Sequence, residues 1–358
     1  MIRPFAREDL RKVSFLHLKT FGNRKDDSLI EHLSDFYEKV FLRSPFVDKV
    51  APSLVYEKNG EIEGFLGVLI RKFYSKKNNF RIGIGSRMMV SPNASALVGA
   101  RLLRSACKED FDLFFSDGAN DDGRNALVAM GGEEVPIFSF HWLKLFKPFQ
   151  FLTHKFKKRK SFGGFCLKLL APVLDTSLRF SSSPFSCNRS VGFITDYKHD
   201  NLLDLYAYSS LAYKINPVYS KGEIDWLVRF CLDWESRGRF LLRKAIFPSG
   251  ESGGFCGYLR PDGIFEVLNL WATKKNLGNL LDSIFYFVKN LNGVGVQGVI
   301  GGGMLKPLRE RNVFFKKGSW AIAKSTNESL LYSLHSGQIY MGGFEGELWL
   351  PSARFGHG

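Results

Sequence analysis

Cysteine is scarce. Five residues (Cys107, Cys166, Cys187, Cys231, Cys256) lie scattered through 358, odd in number and with no C-x-x-C pair. Neither a disulfide framework nor a zinc-binding pattern is therefore expected. The seven histidines show no H-x-x-H or H-E-x-x-H spacing, so no metal is expected. Long apolar runs are also missing. Phe162 to Leu174 is shorter than the roughly 20 residues a membrane span needs, and it contains Lys168 and Pro172. Arg3, Arg7, Glu8 and Asp9 interrupt any signal-peptide pattern at the start. These absences together predict a cytoplasmic protein. Gly301-Gly302-Gly303 follows an apolar run but lacks the Lys-Ser/Thr of a phosphate loop, so a flexible turn is expected there.

Phenylalanine, by contrast, is abundant: 34 residues, enough to fill two ordinary cores. Basic charge is abundant too, with a net of +15, but it is unevenly placed. Residues 1–143 hold 21 basic and 19 acidic side chains, and residues 191–358 hold 19 and 15. Residues 144–190 hold 10 and 1, centred on His154 to Lys160. A folded nucleic-acid binder more often spreads its charge over one face. A local basic run beside the apolar Phe162 to Leu174 would suit an anionic membrane surface, through residues 154–174. Each basic residue near such a surface contributes about 1 kcal/mol. A solvated linker and a tRNA contact are the other two readings of this run.

The patterning along the first half is a strand at Ile2-Arg3-Pro4, helices to Phe21 and from Asp27 to Leu42, then a hairpin. Asn59-Gly60 between apolar runs marks its turn, since both central residues of a type I′ turn need positive φ. A strand over 80–90 ends at Ser91-Pro92. A small-residue loop follows, Asn93 to Gly99, and a helix is predicted from Ala100. A strand that feeds a helix through such a loop leaves the first helical N–H groups free to hold an anion such as pyrophosphate. Leu113-Phe114-Phe115 reads as a strand, 120–130 as a short helix, and Val135 to Leu145 as a last strand.

This order resembles the GCN5-related N-acetyltransferase (GNAT) superfamily over about residues 2–147. Three places carry the resemblance. Ile2-Arg3-Pro4 with Glu8-Asp9-Leu10 looks like the opening strand and helix. Val90-x-Pro92 with Gly99-Ala100-x-Leu102-Leu103 looks like the cofactor motif. Asn120-x-x-Gly123 with Met130-Gly131 looks like the penultimate helix. The resemblance implies an acyl-CoA site formed by Met88, Met89, Val90, Ala96, Leu97, Val98, Gly99, Ala100 and Asn120. The chain departs from the family pattern at Leu97, where a glycine belongs, and its loop is one residue short with no basic residue opening it. Ser86 stands near the place of the family's strand glutamate, and Leu127 at the place of its tyrosine acid. Asp117, at the end of a strand, is the candidate proton acceptor, with Ser86 the second candidate. Asn120 also reads as a helix N-cap.

The pattern returns after a connector. A strand at 191–196, helices at 199–213 and 221–236, strands at 240–247, 253–260 and 264–271, a helix at 277–291, a strand at 294–300, a short helix at 306–311 and a strand at 313–323 repeat the order. The expected class is α/β (α+β): two GNAT-like domains, each a mixed, mostly antiparallel sheet flanked by helices. Their expected bounds are 1–147 and 191–325, with a basic connector at 148–190 and a tail at 326–358. In the second copy, Ala272 to Asn276 has no glycine pair where a cofactor loop belongs. Glu266 is expected on its solvent face, or as a base. The resemblance implies transfer from acetyl-CoA or another acyl-CoA to an amine, such as an amino sugar of surface polysaccharide. A Fem-type transfer from aminoacyl-tRNA and a silent binding protein are the alternatives.

Overall fold

The computed structural model describes residues 1–22, 27–95, 97–108, 110–156, 162–177, 184–188, 192–197 and 202–351. The first half runs β1 (Ile2–Pro4), α1 (Leu10–Phe21), α2 (Asp27–Phe41), β2 (Leu54–Lys58), β3 (Glu61–Tyr74), β4 (Asn79–Val90), α3 (Leu97–Ala106), β5 (Leu113–Ala119), α4 (Asp121–Ala129), β6 (Glu133–Glu134), α5 (Pro136–Ser139) and β7 (Phe140–Leu145). Helices α6 (Pro148–Phe156) and α7 (Phe162–Ser177) form the connector. The second half runs β8 (Phe193–Asp196), α8 (Leu202–Ser210), β9 (Asn216–Pro217), α9 (Lys221–Asp233), β10 (Arg239–Ile246), β11 (Ser252–Leu259), β12 (Ile264–Trp271), α10 (Leu277–Asn290), β13 (Gly295–Val299), α11 (Leu305–Arg309), β14 (Phe314–Lys317), β15 (Trp320–Lys324) and α12 (Glu328–His335).

Two sheets result. The first has the order β1-β2-β3-β4-β5-β15-β6, with β9 beside β3; the second has β14-β7-β13-β12-β11-β10-β8. Each holds one parallel pair in an otherwise antiparallel ladder. In the first sheet, β4 and β5 pair at Ile82↔Leu113, Gly83↔Phe114 and Ile84↔Phe115. In the second, β12 and β13 pair from Ile264↔Gly295 to Glu266↔Gln297. The β2–β3 turn is as the sequence predicts: Asn59 and Gly60 have φ of 53° and 77°.

The sheets do not follow the linear division of the chain. Of the two runs read as terminal strands, 313–323 is broken into β14 and β15, which lie in different sheets, and 135–145 becomes α5 and β7, with β6 just before it in the first sheet and β7 in the second. Pro136 opens α5 and ends the strand begun at β6. Beyond α5, β7 pairs with β13 and β14 of the second sheet, while β15 pairs with β5 and β6 of the first. The two crossings touch: Gly318 N–H donates to the Ser139 carbonyl at 2.8 Å, and Ala321 N–H to Ser139 Oγ at 2.8 Å. A Cβ on Gly318 would overlap the His141 ring, so glycine is required at this crossing. The bounds 1–147 and 191–325 are therefore corrected: each sheet takes a strand from the other half.

Side-chain alternation sorts the core. On β5, Phe115 joins Phe36, Tyr37 and Phe65 under α1 and α2, whereas Phe114 joins Leu66, Leu102 and Leu127 under α3 and α4. Trp142 of β7 packs on Phe285 of α10 with ring centroids 5.9 Å apart. In the connector, the single acid, Asp175, is buried and caps the start of α6, accepting from Phe149 and Gln150 N–H at 2.9 and 3.0 Å. Lys144 and Lys147 are buried as well, donating to backbone carbonyls, so they are structural rather than part of a surface charge. The basic run Lys157 to Lys160 lies outside the described residues. Among the described residues, no helix is long and apolar enough to cross a membrane.

Candidate functional site

Beyond Ile84 and Phe115 the pairing of β4 with β5 stops. β4 also bulges here: the register against β3 slips between Phe65 and Gly67, and Arg87 takes a φ of 53°. This positive φ in a non-glycine residue is sterically costly and marks a strand re-aimed by its surroundings. A cavity of about 780 Å³ opens where the strands part. One wall is Gly85 to Met88 and Ser116 to Asn120, with Leu103 of α3 and Gly123 and Leu127 of α4. The opposite wall comes from the second sheet and its connections, with His141, Arg237, Arg260 and Glu266, and from the segment Glu347 to Pro351.

The two catalytic candidates both face this cavity. Ser86 is 3% exposed, and its hydroxyl has no hydrogen-bond partner among the described residues. Asp117 accepts from the backbone N–H of Glu347 at 3.1 Å. Burial pushes the Asp117 carboxyl up to about 6, and burial together with Asp117 pushes Glu347 up to about 7.

The cofactor candidates divide. Met88 lines the cavity, and Asn120 both lines it and caps α4, its Oδ1 accepting from Gly123 N–H at 2.9 Å. Gly99 is not a loop residue: α3 begins at Leu97, which places Gly99 in its first turn. A Cβ there would sit 3.3 Å from Val90, so Gly99 permits close packing of α3 on β4. Two of the early N–H groups of α3, at Leu97 and Val98, are already taken by Ser95. Leu97 is 61% exposed and Val98 is buried in the core under α3; neither lines the cavity, and Ala100 is half-buried. Met89 points the other way, its sulfur accepting from Tyr37 Oη at 3.5 Å, because adjacent strand residues face opposite sides. Ala96 lies outside the described residues.

Glu266 is on neither a free solvent face nor poised as a base. It lines the cavity in an ion pair with Arg237 at 3.0 Å, and this pairing outweighs burial to hold its carboxyl below the usual range. Gly301 to Gly303 form a packed turn rather than a flexible one, since Gly302 meets the backbone of Gly337 and its carbonyl accepts from Tyr213 Oη at 2.8 Å. Glu347 was not legible as a site residue. An acid in the glycine-rich tail, 230 residues beyond Asp117, carries no local signal. Among the described residues, no cluster of three metal-ligating side chains occurs.

No family model matches the chain, and no curated protein matches it. Solved structures do. A probable N-acyltransferase from Enterococcus faecalis V583 superposes over 91% of this chain and 72% of its own, with a TM-score of 0.57 at 9% identity. A GCN5-related N-acetyltransferase from Anabaena variabilis superposes over 92% and 73%, with a TM-score of 0.54 at 11% identity. The chain has the GNAT fold. A Saccharomyces cerevisiae N-myristoyltransferase with bound myristoyl-CoA and inhibitors superposes over 91% and 80%, with a TM-score of 0.50 at 10% identity. Each match takes in both halves, so the likeness to GNAT-fold proteins covers the tandem arrangement rather than one sheet alone. The parted β4–β5 pair, the bulge at Arg87 and Leu103 of α3 frame the cavity here.

Proposed function

We propose that the protein transfers an acyl group from an acyl-CoA to an amine, with the thioester in the opening between β4 and β5. The observation that carries this reading is the cavity itself. It joins that opening to a polar wall supplied by the second sheet, so donor and acceptor can meet from opposite sides. Met88, Asn120 and Gly123 would border the pantetheine arm. The unpartnered Ser86 hydroxyl would donate to the acyl carbonyl as negative charge develops on its oxygen. Asp117 would take the proton from the acceptor nitrogen. An amino sugar suits the far wall, where Arg237, Glu266, Arg260 and Asp262 offer both donors and acceptors to hydroxyl groups. Leu127 puts an apolar side chain where a tyrosine acid would stand, so the leaving thiolate draws its proton from elsewhere.

Calorimetric titration with acetyl-CoA and with a longer acyl-CoA tests this reading. Binding near micromolar is expected for at least one thioester. No binding of either would favour a silent binding protein or transfer from aminoacyl-tRNA, and charged tRNA would then be titrated.

A contact between the connector and an anionic bilayer belongs to the same proposal. Leu152, Leu170 and Val173 of α6 and α7 are 37%, 56% and 68% exposed, within a segment, 148–190, that holds eight basic residues and one acid, a net of +7. Cosedimentation with phosphatidylglycerol vesicles is expected and should fall as salt rises. Equal binding to neutral phosphatidylcholine vesicles would count against it.

A further inference from the structure

The last ten described residues, Gly342 to Pro351, run as a strap between the two sheets. Glu345 anchors it. Its carboxylate is fully buried and accepts from Tyr206 Oη at 2.8 Å, Tyr219 Oη at 3.0 Å, Asn269 Nδ2 at 2.9 Å and Gly342 N–H at 2.8 Å. Arg71, also fully buried and stacked 3.5 Å over the Phe46 ring, adds a nearby positive charge. Trp349 fills the core between Trp226 and Phe230. Arg237 holds the strap's far end through the carbonyls of Leu348 and Leu350, at 2.6 and 3.1 Å.

These anchors fix Glu347 over the opening of the first sheet. Its N–H donates to Asp117 Oδ1, and its carboxylate lies against Gly118, where any Cβ would overlap it. A Cβ on Gly346 would overlap the Asp117 carboxylate in turn. Gly118 and Gly346 thus let the two segments approach until each one's carboxyl lies against the other's backbone. The cations facing them are few. Arg237 is taken by Glu266 at 3.0 Å, and Arg260 by Asp262 at 2.7 Å. His141, on the same wall, is held towards its neutral form by burial and by Lys316. Among the described residues, Arg87 is the cation left to offset Glu347, and its guanidinium also donates to the Pro351 carbonyl.

We propose that Glu347 and Asp117 share one proton, and that this pair, assembled by the strap, is the group that takes the acceptor's proton. The proposal rests on the acyl-transfer reading above. The acceptor arrives as an ammonium ion and gives one proton to the pair. The freed lone pair attacks the thioester carbonyl, the C–N bond forms and the C–S bond breaks. The CoA thiolate takes the second proton lost by nitrogen as the amide forms, and the pair returns its own proton to water. Close like charges raise one member of such a pair, and burial raises both.

The full chain carrying ¹³C-carboxyl aspartate and glutamate tests the pair by NMR titration, without any ligand. The Glu347 signal, identified by its loss in Glu347→Gln, is expected to titrate above the ordinary carboxylate range. It should move to lower pH in Asp117→Asn, which removes the neighbouring charge. A Glu347 signal with an ordinary midpoint, or one indifferent to Asp117→Asn, would overturn the pair. Thiol release from acetyl-CoA with glucosamine as the amine tests its role. Glu347→Gln should lower this rate by about a hundredfold while acetyl-CoA affinity stays unchanged. An unchanged or faster rate would overturn it and make the strap a plug instead. Failure of both acetyl-CoA and the longer acyl-CoA to bind would count against the transfer reading, whereas the titration bears on the pair alone.

Discussion

Acyl-CoA affinity is expected to fall by about a hundredfold, roughly 2.7 kcal/mol, when Gly123 is replaced by leucine. Gly123 lies in the first turn of α4, its N–H held by Asn120. A Cβ added there would stand 3.3 Å from both Met88 Cε and Asn120 Oδ1. The remaining atoms of a leucine would then project into the space between α4 and β4, where the pantetheine arm is placed. The same change should not harm the fold. Glycine within a helix costs about 0.8–1 kcal/mol relative to good helix formers. The tight contacts at this buried position offset that gain, so the melting temperature is expected to hold or to fall by a few degrees. Calorimetry and thermal unfolding on the same preparation separate the two effects. Unaltered affinity in a folded Gly123→Leu protein would move the cofactor out of this slot.

Neither half of the chain is expected to fold when produced alone. A fragment ending at 156 keeps β7 but loses both of its strand partners, β13 and β14, and Trp142, fully buried in the whole protein, would face water. The same fragment lacks β15, which leaves β5 as an open edge and β6 with no partner. Ala321, Ile322 and Ala323 are all buried and belong to the core of the other half. Open apolar edges of this kind promote aggregation. The expected result is two insoluble fragments, or fragments without a cooperative denaturant transition. Co-expressing 1–156 with 184–358 should restore one soluble, cooperatively unfolding complex. A cooperative transition from the 1–156 fragment by itself would show that the exchanged strand is dispensable.

Much of the layout is legible locally. Asn59-Gly60 names its own turn, because few residues tolerate positive φ. The Asn120 cap precedes α4 as its side-chain chemistry demands. The three central strands of the second half, read at 240–247, 253–260 and 264–271, lie within one residue of those bounds. The start of α3 was displaced by three residues because a small-residue stretch reads equally as loop or as helix. The strand exchange has no local signal: Val135 to Leu145 has the same composition whichever sheet it joins. Only Pro136 and Gly318 hint that the two terminal strands break.

The sequence by itself determined the two mixed sheets and the helix that follows β4; Asp117, expected at a strand end, lies inside β5. Those features depend on residues near one another, through propensity, alternation and turn geometry. The tertiary structure alone decided that β7 and β15 change sheets, that Met89 turns away from the cavity while Met88 faces it, and that Glu266 is neutralised by Arg237. It also decided that Glu347 meets Asp117 across 230 residues of chain. Pairings at that separation are chosen by the packing of whole elements, and no local pattern encodes them.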